Sequence, residues 1–221
     1  MMGLFCKQSF LLVFVLMFTG ACSKDQTKYM VEICDVKESG NNLLYLLSDA
    51  GRILYPSSSR DVTINMRGQR FCVTYIELEG DALSDGEAVV EIKDMLHVLV
   101  KDVVDRTLFT GTLNDPVWLV GKPWFGGDYL NFEFSYHNNA DSDIEHNIEL
   151  VQDSIVSSNQ VKKIYMTFGH NANNDASLRM ATAFFSFPTA TITDIQNADS
   201  LIIRVLEGDK QQLYRLAAPE E

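Results

Sequence analysis

The stretch Asp128-Tyr129-Leu130-Asn131-Phe132-Glu133-Phe134-Ser135-Tyr136-His137 alternates apolar and polar side chains from Leu130 onward. Period-two alternation predicts a strand with Leu130, Phe132, Phe134 and Tyr136 on a packed face and Asn131, Glu133 and Ser135 on a wet one. A sheet with one apolar face needs an opposing layer. Residues 146–152, 163–170, 181–187, 201–206 and 211–216 supply it, each short, β-prone and bounded by turn-forming or acidic loops. Six or seven such strands predict an antiparallel β-sandwich over residues 109–221.

Upstream the strand rhythm is different. Residues 29–36 read as a strand ended by the turn cluster Glu38-Ser39-Gly40-Asn41-Asn42, and 43–47 and 52–55 flank a bend at Asp49-Ala50-Gly51. Residues 69–79 are apolar on both faces, with Phe71, Val73 and Tyr75 on one and Cys72, Thr74 and Ile76 on the other. Residues 88–104 fit helical spacing at Val89, Ile92, Leu96, Leu99 and Val103. Their valine density and the preceding Asp85-Gly86 turn favour a long strand instead, bulged near Asp94. About five strands over residues 29–108 suit an OB-like small barrel. The fold class is therefore all-β, a barrel followed by a sandwich.

The first 21 residues read as a signal peptide. Lys7 gives a positive start, and residues 9–20 are almost wholly apolar without an acid, too short for a permanent span. Thr19-Gly20-Ala21-Cys22 resembles the lipobox of bacterial lipoproteins, with Thr19 where Leu is usual. That resemblance implies a lipid on Cys22, a tether over 22–28 and a place in the cell envelope. Ser23-Lys24-Asp25-Gln26 resembles a signal for the outer membrane. Several acyl chains, at about 0.8 kcal/mol for each buried methylene, hold a soluble body on a bilayer.

The chain carries a formal charge of −12, and losing the leader removes only Lys7. So acidic a surface repels nucleic acid and anionic lipid, leaving the anchor as the membrane contact. Cys34 and Cys72 lie in strand-like runs of an exported protein. They are either a disulfide, if the strands are adjacent, or two buried thiols.

Three stretches carry a family resemblance: Tyr129-Leu130-Asn131 with Phe132 and Phe134, then His146-Asn147-Ile148-Glu149-Leu150-Val151, and finally Gly169-His170-Asn171-Ala172-Asn173-Asn174-Asp175. Together they resemble the NigD-like lipoproteins, which pair an OB-type domain with a C-terminal β-sandwich behind a lipid anchor. The family's name comes from a bacteriocin-associated operon, which implies an accessory or immunity role and brings no catalytic residues with it.

Chemistry-bearing motifs are sparse. No G-x-S-x-G elbow, phosphate loop or dinucleotide fingerprint is present. His146, His170 and Asp175 would form a metal or acid–base site, and so a hydrolase, only if two strand ends meet. The plainer reading is a pair of core-edge histidines with an aspartate serving its turn. The alternating oxygens of Asn139, Asp141, Asp143 and Glu145, and of Asn171, Asn173 and Asp175, lack the glycine and glutamate of a calcium loop. Trp118, Trp124, Phe125 and Tyr129 gather around glycines near the domain junction, either as packing or as a platform for a protein, peptide or glycan. The expectation is a non-enzymatic binding or accessory module without a cofactor.

Overall fold

The structure, a computed structural model, describes residues 28–78 and 84–219. The signal peptide, Cys22 and nearly all of the tether lie outside the described residues. Five strands make the first body: β1 (Met30–Glu38), β2 (Leu44–Ser48), β3 (Ile53–Pro56), β4 (Arg70–Glu77) and β5 (Glu87–Val100). Their order is β1-β2-β3-β5-β4 and back to β1, closed by a parallel β3–β5 pairing. Closure removes both sheet edges. It also gives every strand an inner face, on which Cys34, Val36, Leu46, Leu54, Val73, Tyr75 and Val90 form a core. β5 is a strand, and between Thr74↔Asp94 and Tyr75↔Ile92 its register shifts past Lys93, a bulge where the sequence predicts one.

The second body has two layers. Short strands β6 (Val104–Asp105), β7 (Val117–Leu119) and β8 (Trp124–Gly126) precede the long strands β9 (Tyr129–Asn138), β10 (Asn147–Ser158), β11 (Val161–Asn171) and β12 (Arg179–Pro188). The chain closes with β13 (Ser200–Glu207) and β14 (Lys210–Ala217). One layer is β12-β9 with β7 and β8 along the free edge of β9, and the other is β14-β13-β11-β10-β6. Leu130, Phe132 and Phe134 point between the layers as the alternation requires and are fully buried. Phe132 stacks on Phe168 with centroids 4.2 Å apart and meets Phe187 edge-on at 5.6 Å. Each such ring contributes roughly 1.5–3 kcal/mol by burial alone.

The layers are not purely antiparallel. β12 crosses to the opposite layer between β11 and β13, so β11 and β13 run the same way and pair in parallel from Lys163↔Ser200 to Phe168↔Val205. β6 also pairs in parallel with β10, through Val104 and Asp105. This places it in the sandwich, ahead of residue 109. β5 then joins the two bodies. Its last residues, Leu99 and Val100, pair with Phe185 and Ser186 of β12, so a barrel strand continues as the edge of a sandwich layer.

One open alternative is decided here and one expectation is corrected. Cys34 and Cys72 lie on adjacent strands, but the register pairs Ile33 with Cys72 and Cys34 with Phe71. That offset of one turns Cys34 into the barrel and Cys72 outward, and both are free thiols. The correction concerns the wet face of β9: Asn131 has no solvent exposure, because the barrel lies over it.

Candidate functional site

Inward parity at Phe71, Val73 and Tyr75 forces Arg70 and Cys72 to the outside of the barrel wall, where the sandwich meets it. Arg70 is only 2% exposed there. Its Nε donates to Ser186 Oγ at 2.9 Å, Nη1 to Asp35 Oδ1 at 3.0 Å, and Nη2 to both Asp49 oxygens at 2.5 and 2.7 Å. Its guanidinium plane lies 4.0 Å from the centre of the Tyr129 ring. Asn131 completes the cluster, accepting from Ser186 Oγ at 2.6 Å and donating to Asp49 Oδ2 at 3.1 Å. Burial pushes the Asp49 carboxyl up from its ordinary range, against the hydrogen bond and charge of Arg70. A Cβ at Gly126 would collide with that carboxylate, so only glycine lets β8 pass this close.

Beside this cluster the two bodies part and leave a groove of about 420 Å³. Val31, Ile33 and Cys72 line it from the barrel, and Trp124, Glu133 and Phe184 from the sandwich. The four aromatics of the junction therefore divide. Trp124 walls the groove, Tyr129 covers Arg70, and Phe125 packs against the sandwich core. Trp118 stands edge-on to His137, 5.2 Å between centroids. They form no common platform.

The histidines and aspartate do meet. His146 Nε2 lies 3.0 Å from Asp175 Oδ2, and His146 Nδ1 lies 2.8 Å from His170 Nε2. With Asp175 ionised, His146 donates from Nε2 and accepts at Nδ1 from His170 Nε2–H. His170 Nδ1 is then buried without a partner. Burial first, and then the neighbouring His146, hold the His170 pKa below its ordinary value. Asp175 is held low mainly by the Asn139 backbone N–H, which donates to it at 2.7 Å, with help from His146 and Ser142.

A hollow of about 520 Å³ opens on His146, Asp175 and Tyr136. In an acid–base triad the second imidazole nitrogen faces the reacting group. Here another imidazole occupies that position, so His146 has no free lone pair to offer a proton or a cation. Among the described residues no three His, Cys, Asp or Glu side chains are placed to hold a metal ion. The chain fastens the 139–146 loop to the 171–175 loop. The alternating oxygens serve the same loops as turn hydrogen bonds, Asn139 Oδ1 to the Asp141 N–H and Asn171 Oδ1 to the Asn173 N–H.

The residues that sequence reasoning missed are Arg70, Asp35, Asp49 and Ser186. A signal existed: Asp35 lies inside the apolar run Ile33-Cys34-Asp35-Val36, and a buried carboxylate needs a cation. Nothing local says which arginine supplies it.

Comparison with known proteins follows the same division. Residues 108–216 match the NigD-like C-terminal beta sandwich domain. Among solved structures, a protein of unknown function from Bacteroides vulgatus superposes with a TM-score of 0.70 at 19% identity, covering 87% of this chain and 92% of that one. A NigD-like immunity protein from Bacteroides caccae gives 0.61 at 20% identity, covering 85% and 91%. A candidate lipoprotein from Bacteroides fragilis gives 0.61 at 12% identity, covering 87% and 99%. At these identities the shared property is the fold, barrel and sandwich together. No curated protein matches the sequence. The second body, over residues 108–216, is thus a NigD-like C-terminal beta sandwich domain.

Proposed function

We propose that this is a non-enzymatic, lipid-anchored protein of the bacterial envelope, placed at the outer membrane, that binds a protein, peptide or glycan partner between its barrel and its sandwich. One observation carries the reading: a groove with Trp124 in its wall, built from both bodies and held open beside a rigid cluster. Sites between structural units are where ligands are commonly held. The barrel is read as OB-type, a fold that presents its outer wall to ligands. Cys22 supplies the anchor in this reading, and the lipoprotein description of the B. fragilis neighbour supports it.

The test has two arms. Cys22→Ser should move the protein from the membrane to the soluble fraction. A photo-crosslinking residue at position 124 should trap one partner in intact cells, while the same residue at Val156, on the opposite layer, should trap none. Equal products from both positions would remove the groove from the reading.

The immunity description of the B. caccae neighbour supports a second reading, an accessory or immunity role in an antibacterial-peptide system. A deletion strain should then become more sensitive to that peptide, and the wild-type gene should restore resistance.

A further inference from the structure

The groove has an apolar floor and an unbalanced charge. Val31 is 62% exposed on it, with Ile33, Phe184 and the Trp124 ring beside it. Each nearby arginine is matched by two carboxylates. Arg52 pairs with Glu32 and Glu77, and Arg70 pairs with Asp35 and Asp49. Lys37 reaches Asp35 from solvent at 3.4 Å. Glu133 has no cation partner among the described residues, although it lines the groove opposite Glu32 and Asp49. One oxygen of Glu32, Oε2, is buried with no hydrogen-bond partner, while Oε1 takes both the Tyr75 hydroxyl and Arg52.

The charge of Glu133 also bears on Cys72, where burial is the larger cause. Burial, followed by the charges of Glu133 and Asp94, pushes its thiol up to about 11. An anion entering here would be desolvated against carboxylates with nothing gained, and a neutral donor would gain a hydrogen bond without balancing the charge. A lysine or arginine would complete the ion balance at Glu133 and lie against the indole of Trp124, the aromatic ring that holds cations best. Its apolar neighbours would cover Val31 and Phe184.

We propose that the groove receives a basic side chain, lysine or arginine, carried by an otherwise apolar segment of a partner peptide. The proposal rests on the groove being the binding surface, and it names the chemistry of what binds there. The chain's own net charge of −12 makes a second copy a poor occupant.

The probe is a short peptide alternating leucine and lysine, titrated into the full-length protein carrying Trp118→Phe, so that Trp124 is the fluorescent reporter. Saturable binding with a shifted Trp124 emission is expected, weakened about tenfold by Glu133→Gln and steeply by added salt. Asp209→Asn removes the same charge at the β13–β14 hairpin, which does not line the groove, and should leave affinity unchanged. Equal weakening by Asp209→Asn and Glu133→Gln would reduce the effect to bulk charge and overturn the proposal. A leucine–glutamate or leucine–serine peptide that binds as well would overturn the cation preference but keep the groove. If no peptide moves Trp124, the proposal falls together with the groove.

Discussion

The Arg70 cluster and the Asp175–His146–His170 chain are both buried polar networks in a β protein, and they differ in reach and in charge. Arg70 draws together β1, β4, β9, β12 and the β2–β3 bend, so it spans the two bodies. The imidazole chain ties two loops at one end of one body. A guanidinium keeps its charge at every pH the protein meets, and here each of its three nitrogens has an acceptor. The imidazole chain can gain a proton, and its buried His170 Nδ1 makes no hydrogen bond. The first network therefore sets the relation of barrel to sandwich permanently, and the second can loosen with acid.

Removing Arg70 should separate the behaviour of the two networks most. Arg70→Met leaves Asp49 without a cation and Asp35 with only the solvent-side Lys37, and removing one partner of such a pair costs about 3–5 kcal/mol. Urea unfolding followed by Trp124 and Trp118 fluorescence should lose its single transition, because the barrel and sandwich cores are separate. A variant that unfolds in one step at the wild-type midpoint would show that the β5–β12 continuity and the bonds of Asn131 and Gly127 to Asp49 hold the bodies together without Arg70.

What the sequence made legible was periodicity. The alternation at 129–136 placed Leu130, Phe132 and Phe134 in the core, and the Lys93 bulge appeared where the register had to slip. His146, His170 and Asp175 could be grouped because parity put both histidines at strand ends. Contacts between the bodies were not legible. The alternation says that Asn131 points away from Phe132, but not that a barrel wall is waiting there. The Cys34–Cys72 question turned on a one-residue register, which is a property of the pair of strands and of neither alone.

A smaller perturbation reaches the Arg70 cluster from the sandwich side. Gly126→Ala adds one methyl against the Asp49 carboxylate, which cannot retreat without leaving Arg70 and Asn131. Overpacking of this kind costs about 1–3 kcal/mol. Gly121→Ala, where an added Cβ meets nothing, serves as the control, and its urea midpoint should stay at wild type.

The smallest effect is the dependence on pH, and its sign separates the two networks. The folded pKa of His170 lies below the ordinary 6.5. Its contribution to stability is thus complete above that value and is lost as pH falls through the folded pKa, because the unfolded chain binds the proton first. Asp49 is the opposite case: a carboxyl raised above the ordinary 3.8 stabilises the fold below that value and stops doing so as pH rises through the folded pKa. Asp175, held below 3.8, loses its contribution only in stronger acid. Between about pH 7.5 and 5.5 the slope should therefore belong to the imidazole chain. Urea midpoints across that range should fall with acid in the wild type and in Gly126→Ala, and should flatten in His170→Gln. A His170→Gln protein with the wild-type slope would place the proton elsewhere and leave the imidazole chain a fastening with no sensitivity to acid.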